Sequence, residues 1–71
     1  MNRFNPEKLL NSKWTACNPS NRERHFVVVE PVRDDSDKVI YCELEAVISN
    51  KTYRTRWQEL RDVSSWIMGW R

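Results

Sequence analysis

Four tryptophans, Trp14, Trp57, Trp66 and Trp70, are spread along a chain of only 71 residues. That feature constrains the fold more than any motif does. A folded chain of this size hides only about 60% of the surface that its unfolded form exposes. Its core rarely contributes more than about 3–5 kcal/mol unless something staples it. Each large aromatic can bury roughly 150–250 Å². The indoles therefore stand where a larger protein would have a larger core and a small secreted one its disulfides. One aromatic-rich domain, residues 1–71, is expected.

The same bounds remove several function classes. An interdomain cleft needs two domains. A membrane-spanning helix needs about 20 apolar residues in sequence, and Phe26-Val27-Val28-Val29 is among the longest apolar runs. Twelve basic residues against ten acidic ones leave a net charge of +2, far from the strong basic excess of many nucleic-acid modules. The N-terminal Met1-Asn2-Arg3-Phe4-Asn5 lacks the apolar stretch of a signal peptide. With Cys17 and Cys42 read as free thiols, a cytoplasmic location is expected.

With one glycine, Gly69, and no linker or repeat, the chain reads as folded almost end to end. Asn5-Pro6-Glu7 has the cap, the first-position proline and the first-turn acid of a helix start. A strand is expected over Lys13–Cys17, followed by a turn at Asn18-Pro19-Ser20-Asn21. His25–Arg33 is a second strand with ambiguous faces, which suits a bulge near Glu30-Pro31 and an edge position for the proline. Val39–Ile48 alternates most cleanly: Ile40, Cys42, Leu44, Ala46 and Ile48 lie against Tyr41, Glu43 and Glu45. After Ser49-Asn50-Lys51, a tight hairpin would set Ile48 opposite Tyr53, Ala46 opposite Thr55, Leu44 opposite Trp57 and Glu45 opposite Arg56. This places Trp14 and Trp57 in the core. Beyond Leu60 the period changes to that of a helix, read as Val63–Met68, with Asp62 as cap and Gly69 as its end. The fold class is mainly β: one small antiparallel sheet of about four strands, or a partly closed barrel of the SH3 type, with short helical segments at both ends.

An enzyme is not expected, because the inventory is too thin. His25 is the sole histidine and could serve Cys17 or Cys42 only if the fold brought a thiol to it. No zinc site can be assembled from one histidine and two cysteines, and Asp34, Asp35 and Asp37 lack the spacing of a calcium loop. No catalytic residue, metal or cofactor is therefore assigned. The expected function is a non-enzymatic binding or interaction module. Its first version is weak nucleic-acid binding by Lys51, Arg54, Arg56 and Lys13, with aromatics alongside. Set against this, alternation puts Tyr53 and Trp57 on the face opposite Arg54 and Arg56, where Glu43 and Glu45 would neutralise the arginines. The second version is self-association or a protein partner at Trp66, Met68 and Trp70, set against a reading in which Trp66 and Trp70 close the core.

Asn5-Pro6 with Lys8-Leu9-Leu10, then Ser12-Lys13-Trp14-Thr15-Ala16, resembles the opening of a family of small, Trp-rich conserved bacterial proteins. His25-Phe26, Glu43-Leu44-Glu45-Ala46-Val47, Tyr53, Trp57, Leu60, Asp62, Trp66 and Gly69-Trp70 continue the likeness over nearly the whole chain. It implies a cytoplasmic bacterial protein of unknown function, and it carries no site residues with it.

Overall fold

The computed structural model describes residues 1–71. Five strands form one antiparallel sheet: β1 (Lys13–Ser20), β2 (Glu23–Arg33), β3 (Val39–Ala46), β4 (Thr52–Arg56) and β5 (Trp66–Met68). Their order is β4-β3-β2-β1-β5. The outer strands β4 and β5 do not pair, so the sheet remains open and is not a closed barrel. Pro6–Lys8 forms a single 3-10 turn, capped by Asn5 Oδ1, which accepts from the Glu7 amide at 2.9 Å.

One face of the sheet carries the core. Leu9, Trp14, Phe26, Val28, Cys42, Leu44, Ala46 and Leu60 form a buried cluster, with Phe4, Ala16, Trp57 and Trp66 packed against it. The topology dictates what covers this face. Because β4 and β5 lie at opposite edges, the connection from Trp57 to Ser65 must cross the whole sheet. It carries a second 3-10 turn, Trp57–Arg61, whose Leu60 is fully buried. The N-terminal segment lies beside it. Asn2 Nδ2 donates to both Leu60 O and Trp66 O at 2.8 Å, and Phe4 sits edge-on to Trp14 and to Trp57.

The long strand β2 is resolved by a bulge. Val28 pairs with Leu44, but Glu30, not Val29, pairs with Glu43. The extra residue re-phases the strand, so Phe26, Val28 and Pro31 all face the core side. Pro31 lies where β2 has run past β1, whose pairing ends at Lys13↔Val27. Its missing N–H is therefore not needed by a second neighbour.

Three sequence expectations are corrected. First, there is no helix over Val63–Met68. The Asp62 carboxylate accepts from the Ser64 amide at 2.9 Å and from the hydroxyls of Ser64 and Ser65, and its carbonyl accepts from the Trp66 amide. This side-chain turn competes with helix, and Trp66–Met68 becomes the fifth strand, paired with β1. Second, β3 ends at Ala46, and a loop of residues 47–51 replaces the shorter turn. The observed pairs are Leu44↔Tyr53, Cys42↔Thr55 and Glu43↔Arg54. The slip from the expected register is even, so the residues that stay in the two strands keep their faces while their partners change, whereas Ile48, expected to face inward, lies in the loop and is 67% exposed. Trp57 leaves the strand and opens the second 3-10 turn. Third, β1 runs through Asn18-Pro19 to Ser20, and the chain reverses at Asn21-Arg22, both with positive φ (55° and 63°), as a tight hairpin turn requires.

Candidate functional site

The register displaces β1 from β2 beyond Thr15. Between Thr15↔His25 and Ser20↔Glu23, β1 spends Ala16–Pro19 against Arg24 alone, and Ala16 pairs with Trp66 of β5 instead. A hollow of about 380 Å³ opens on the core face at this end of the sheet. Its lining includes the buried Phe26 and Leu44 and, beside them, the more exposed Tyr53, Trp66 and Asn18. Phe26 meets two of these rings edge-on, with centroids 6.2 Å from Tyr53 and 5.3 Å from Trp66. Concave openings lined by aromatic side chains and a few polar groups are common ligand sites.

Glu23 is the polar centre of the hollow, only 5% exposed. Tyr53 Oη donates to Oε1 at 2.6 Å, and the Ser49 hydroxyl donates to Oε2. These bonds, first Ser49's and then Tyr53's, hold the carboxyl below its ordinary range, and Lys51 adds a smaller through-space effect. The same bond raises the Tyr53 phenol. The glutamate is thus ionised, oriented and tied to two strands and a loop. Sequence reasoning missed it. Glu23 sits beside two arginines in a polar stretch, and its burial depends on a displaced β1 and on a loop remote in the chain.

The opposite face is open and mixed. Directly paired residues share a face, so the rows Lys13–Val27–Glu45–Thr52 and Tyr41–Arg56 lie here, with Glu43–Arg54 between them. Arg54 Nε bonds Glu43 Oε2 at 3.4 Å, and its guanidinium lies 5.8 Å from the Tyr41 ring. Of the expected basic residues, Arg54 and Arg56 are neighbours. Lys13 stands three strands away, in the row of Thr52, with its Nζ over the Trp70 ring at 5.3 Å. Lys51 lies in the β3–β4 turn. The expected C-terminal patch divides: Trp66 and Met68 point to the core face, and Trp70 to the open one. Gly69 has a φ of 83°, which swings the chain over β1. There Thr15 Oγ1 donates to Gly69 O, the Arg71 amide donates to Thr15 Oγ1, and Trp70 Nε1 donates to Phe26 O.

The candidates for chemistry are otherwise engaged. His25 Nε2 lies 2.9 Å from Arg71 O, and its ring lies against Trp70. Cys42 is completely buried, and burial pushes its thiol up to about 11. Asp34 Oδ1 accepts from the amides of Ser36 and Lys38 in the β2–β3 loop.

Comparison with known proteins adds a family. The family model described as "Tryptophan-rich protein (DUF2389)" matches residues 12–71. The chain belongs to this tryptophan-rich family. No curated protein and no solved structure matches. All four tryptophans lie within the matched span, and so do all five strands. In this member of the tryptophan-rich family, Trp14 closes the core, Trp57 and Trp66 brace it, and Trp70 rests on the far face.

Proposed function

We propose that this protein is a non-enzymatic binding module whose ligand enters the hollow between Tyr53 and Trp66. The observation that carries the reading is a buried, ionised carboxylate set among three aromatic rings in an open pocket. A hollow with aromatic and apolar walls and a few fixed polar groups is the usual form of a ligand site. The engaged His25 and the buried Cys42 support binding over catalysis. Free thiols at Cys17 and Cys42 support a reducing cytoplasm, and the sequence likeness supports a bacterial source. A fragment screen on the isotope-labelled full chain tests the site. Amide shifts should cluster at Glu23, Phe26, Tyr53 and Trp66. Hits confined to the open face around Trp70, or no hits, would sink the reading.

A second reading keeps weak nucleic-acid binding, on the support of Arg54, Arg56 and Lys13 sharing the open face with Tyr41 and Trp70. Glu43 and Glu45 lie between those bases and weaken it. A titration with single-stranded and duplex nucleic acid at two salt concentrations should show affinity falling as salt rises. Absence of salt-dependent binding removes this reading.

A further inference from the structure

Buried charges in folded proteins are paired with opposite charge or held by a metal, because desolvation is costly otherwise. The ion pairs of this molecule join Arg33 to Glu7 and Asp37, and Arg54 to Glu43. Glu23 is in none of them. Its hydrogen bonds come from two neutral hydroxyls, so its charge is oriented without being balanced. Lys51, the cation that acts on it through space, lies outside ion-pair distance. Arg54 is the one cationic residue on the lining, and its guanidinium is turned away to Glu43 and Tyr41 on the opposite face.

The surroundings of this charge are aromatic. Phe26, Tyr53 and Trp66 place three ring systems around one opening. Ring faces attract cations, tryptophan most strongly. An anionic ligand would meet Glu23. A neutral apolar one would leave it buried deeper and still without a counter-charge. We infer that the hollow between β4 and β5 takes an organic cation, an alkylammonium or guanidinium head, with Glu23 as counter-ion and Phe26, Tyr53 and Trp66 as its aromatic walls. The inference rests on the pocket reading above and names the ligand class for it. A free amine and a basic peptide side chain present the same chemistry.

The test is a titration of the full chain at constant ionic strength, followed by amide and indole shifts. The probes are tetramethylammonium, N-acetyl-arginine methylamide and the neutral N-acetyl-citrulline methylamide. Either cation should give saturable shifts at Glu23, Phe26, Tyr53 and Trp66, and the citrulline compound should bind far more weakly. Stronger binding of tetramethylammonium points to a small free alkylammonium ion, and stronger binding of the arginine compound to a peptide side chain. Glu23→Gln should weaken the cation by about tenfold or more, the loss expected for a charged hydrogen-bond partner. Ser49→Ala removes a hydrogen bond and keeps the charge, so it should retain the preference for cation over citrulline even if Glu23→Gln fails to fold. Equal binding of citrulline and arginine compounds overturns the inference and leaves the pocket standing. So does binding at the hollow by neutral fragments alone. If neither cations nor neutral fragments bind there, both readings fall.

Discussion

Glu23 shows how much one side chain can hold together. Its carboxylate joins the start of β2 to Ser49 in the β3–β4 loop and to Tyr53 on β4. Its folded pKa lies below the ordinary 4.5, so its stabilising effect is complete above that value. The effect is lost as pH falls through the lowered pKa. Glu23→Gln should therefore be less stable than the parent at about pH 7, with the gap closing in acid below roughly pH 4. Denaturant melts across pH would show it, and a pH-independent gap would contradict the assignment. Tyr53 gives the mirror case, because its raised pKa keeps its contribution until pH climbs through that value. The cysteines make a separate prediction. A thiol reagent near pH 8 should label Cys17 first, with Cys42 reacting only as the protein unfolds, since the thiolate is the reactive form. Equal rates would mean that Cys42 is not sealed.

Among the elements, the last strand is the least self-sufficient. Trp66–Met68 is three residues long, too short to persist without β1. What secures it lies on both sides: the Asp62 turn before it and Gly69 after it. A Cβ at Gly69 would meet nothing within 4 Å, so space is no obstacle there. The φ of 83° is. Gly69→Ala should cost roughly 1–2 kcal/mol from the left-handed backbone alone. It should also loosen the strap over Thr15, read as faster amide exchange at Arg71 and greater quenching of Trp70 fluorescence. Loss of stability without any change at Trp70 would separate the glycine from the strap. The outer edge of β5 is occupied as well: Trp66 O accepts from Asn2, and Met68 O from Arg71 Nε at 3.4 Å. Such cover keeps a short edge strand from recruiting other chains.

The whole molecule depends on a crossing. The path from β4 to β5 spans the sheet, and Asn2 clamps it at two carbonyls while its own amide donates to Arg61 O at 2.9 Å. Asn2→Ala leaves those carbonyls to find other partners and should cost about 1–3 kcal/mol. The denaturant midpoint should fall accordingly, and an unchanged midpoint would show that the clamp adds nothing. The aromatics are also divided at this scale. Phe4 joins Trp14 and Trp57 under the N-terminal segment, and Phe26 joins Tyr53 and Trp66 at the hollow. Trp70, 44% exposed, belongs to neither group.

Period-two alternation in β3 was legible because Cys42, Leu44 and Ala46 bury one face whatever pairs beside them. Turn chemistry at Asn5-Pro6 was legible because it is local. The bulge in β2 left its mark in a face pattern that no flat strand could satisfy. The sequence by itself therefore determined a small, mainly β domain, the inward face of its central strands and a core that uses tryptophan for bulk. Only the tertiary structure decided that Trp66–Met68 is a strand and not a helix, since its hydrogen-bond partner is β1, far away in sequence. It also decided the register of β4, because an even slip leaves every face unchanged and hydrophobicity cannot tell the two apart. The same holds for Glu23: its neighbours in the chain are polar, and the rings and hydroxyls around it arrive only when the sheet folds over them.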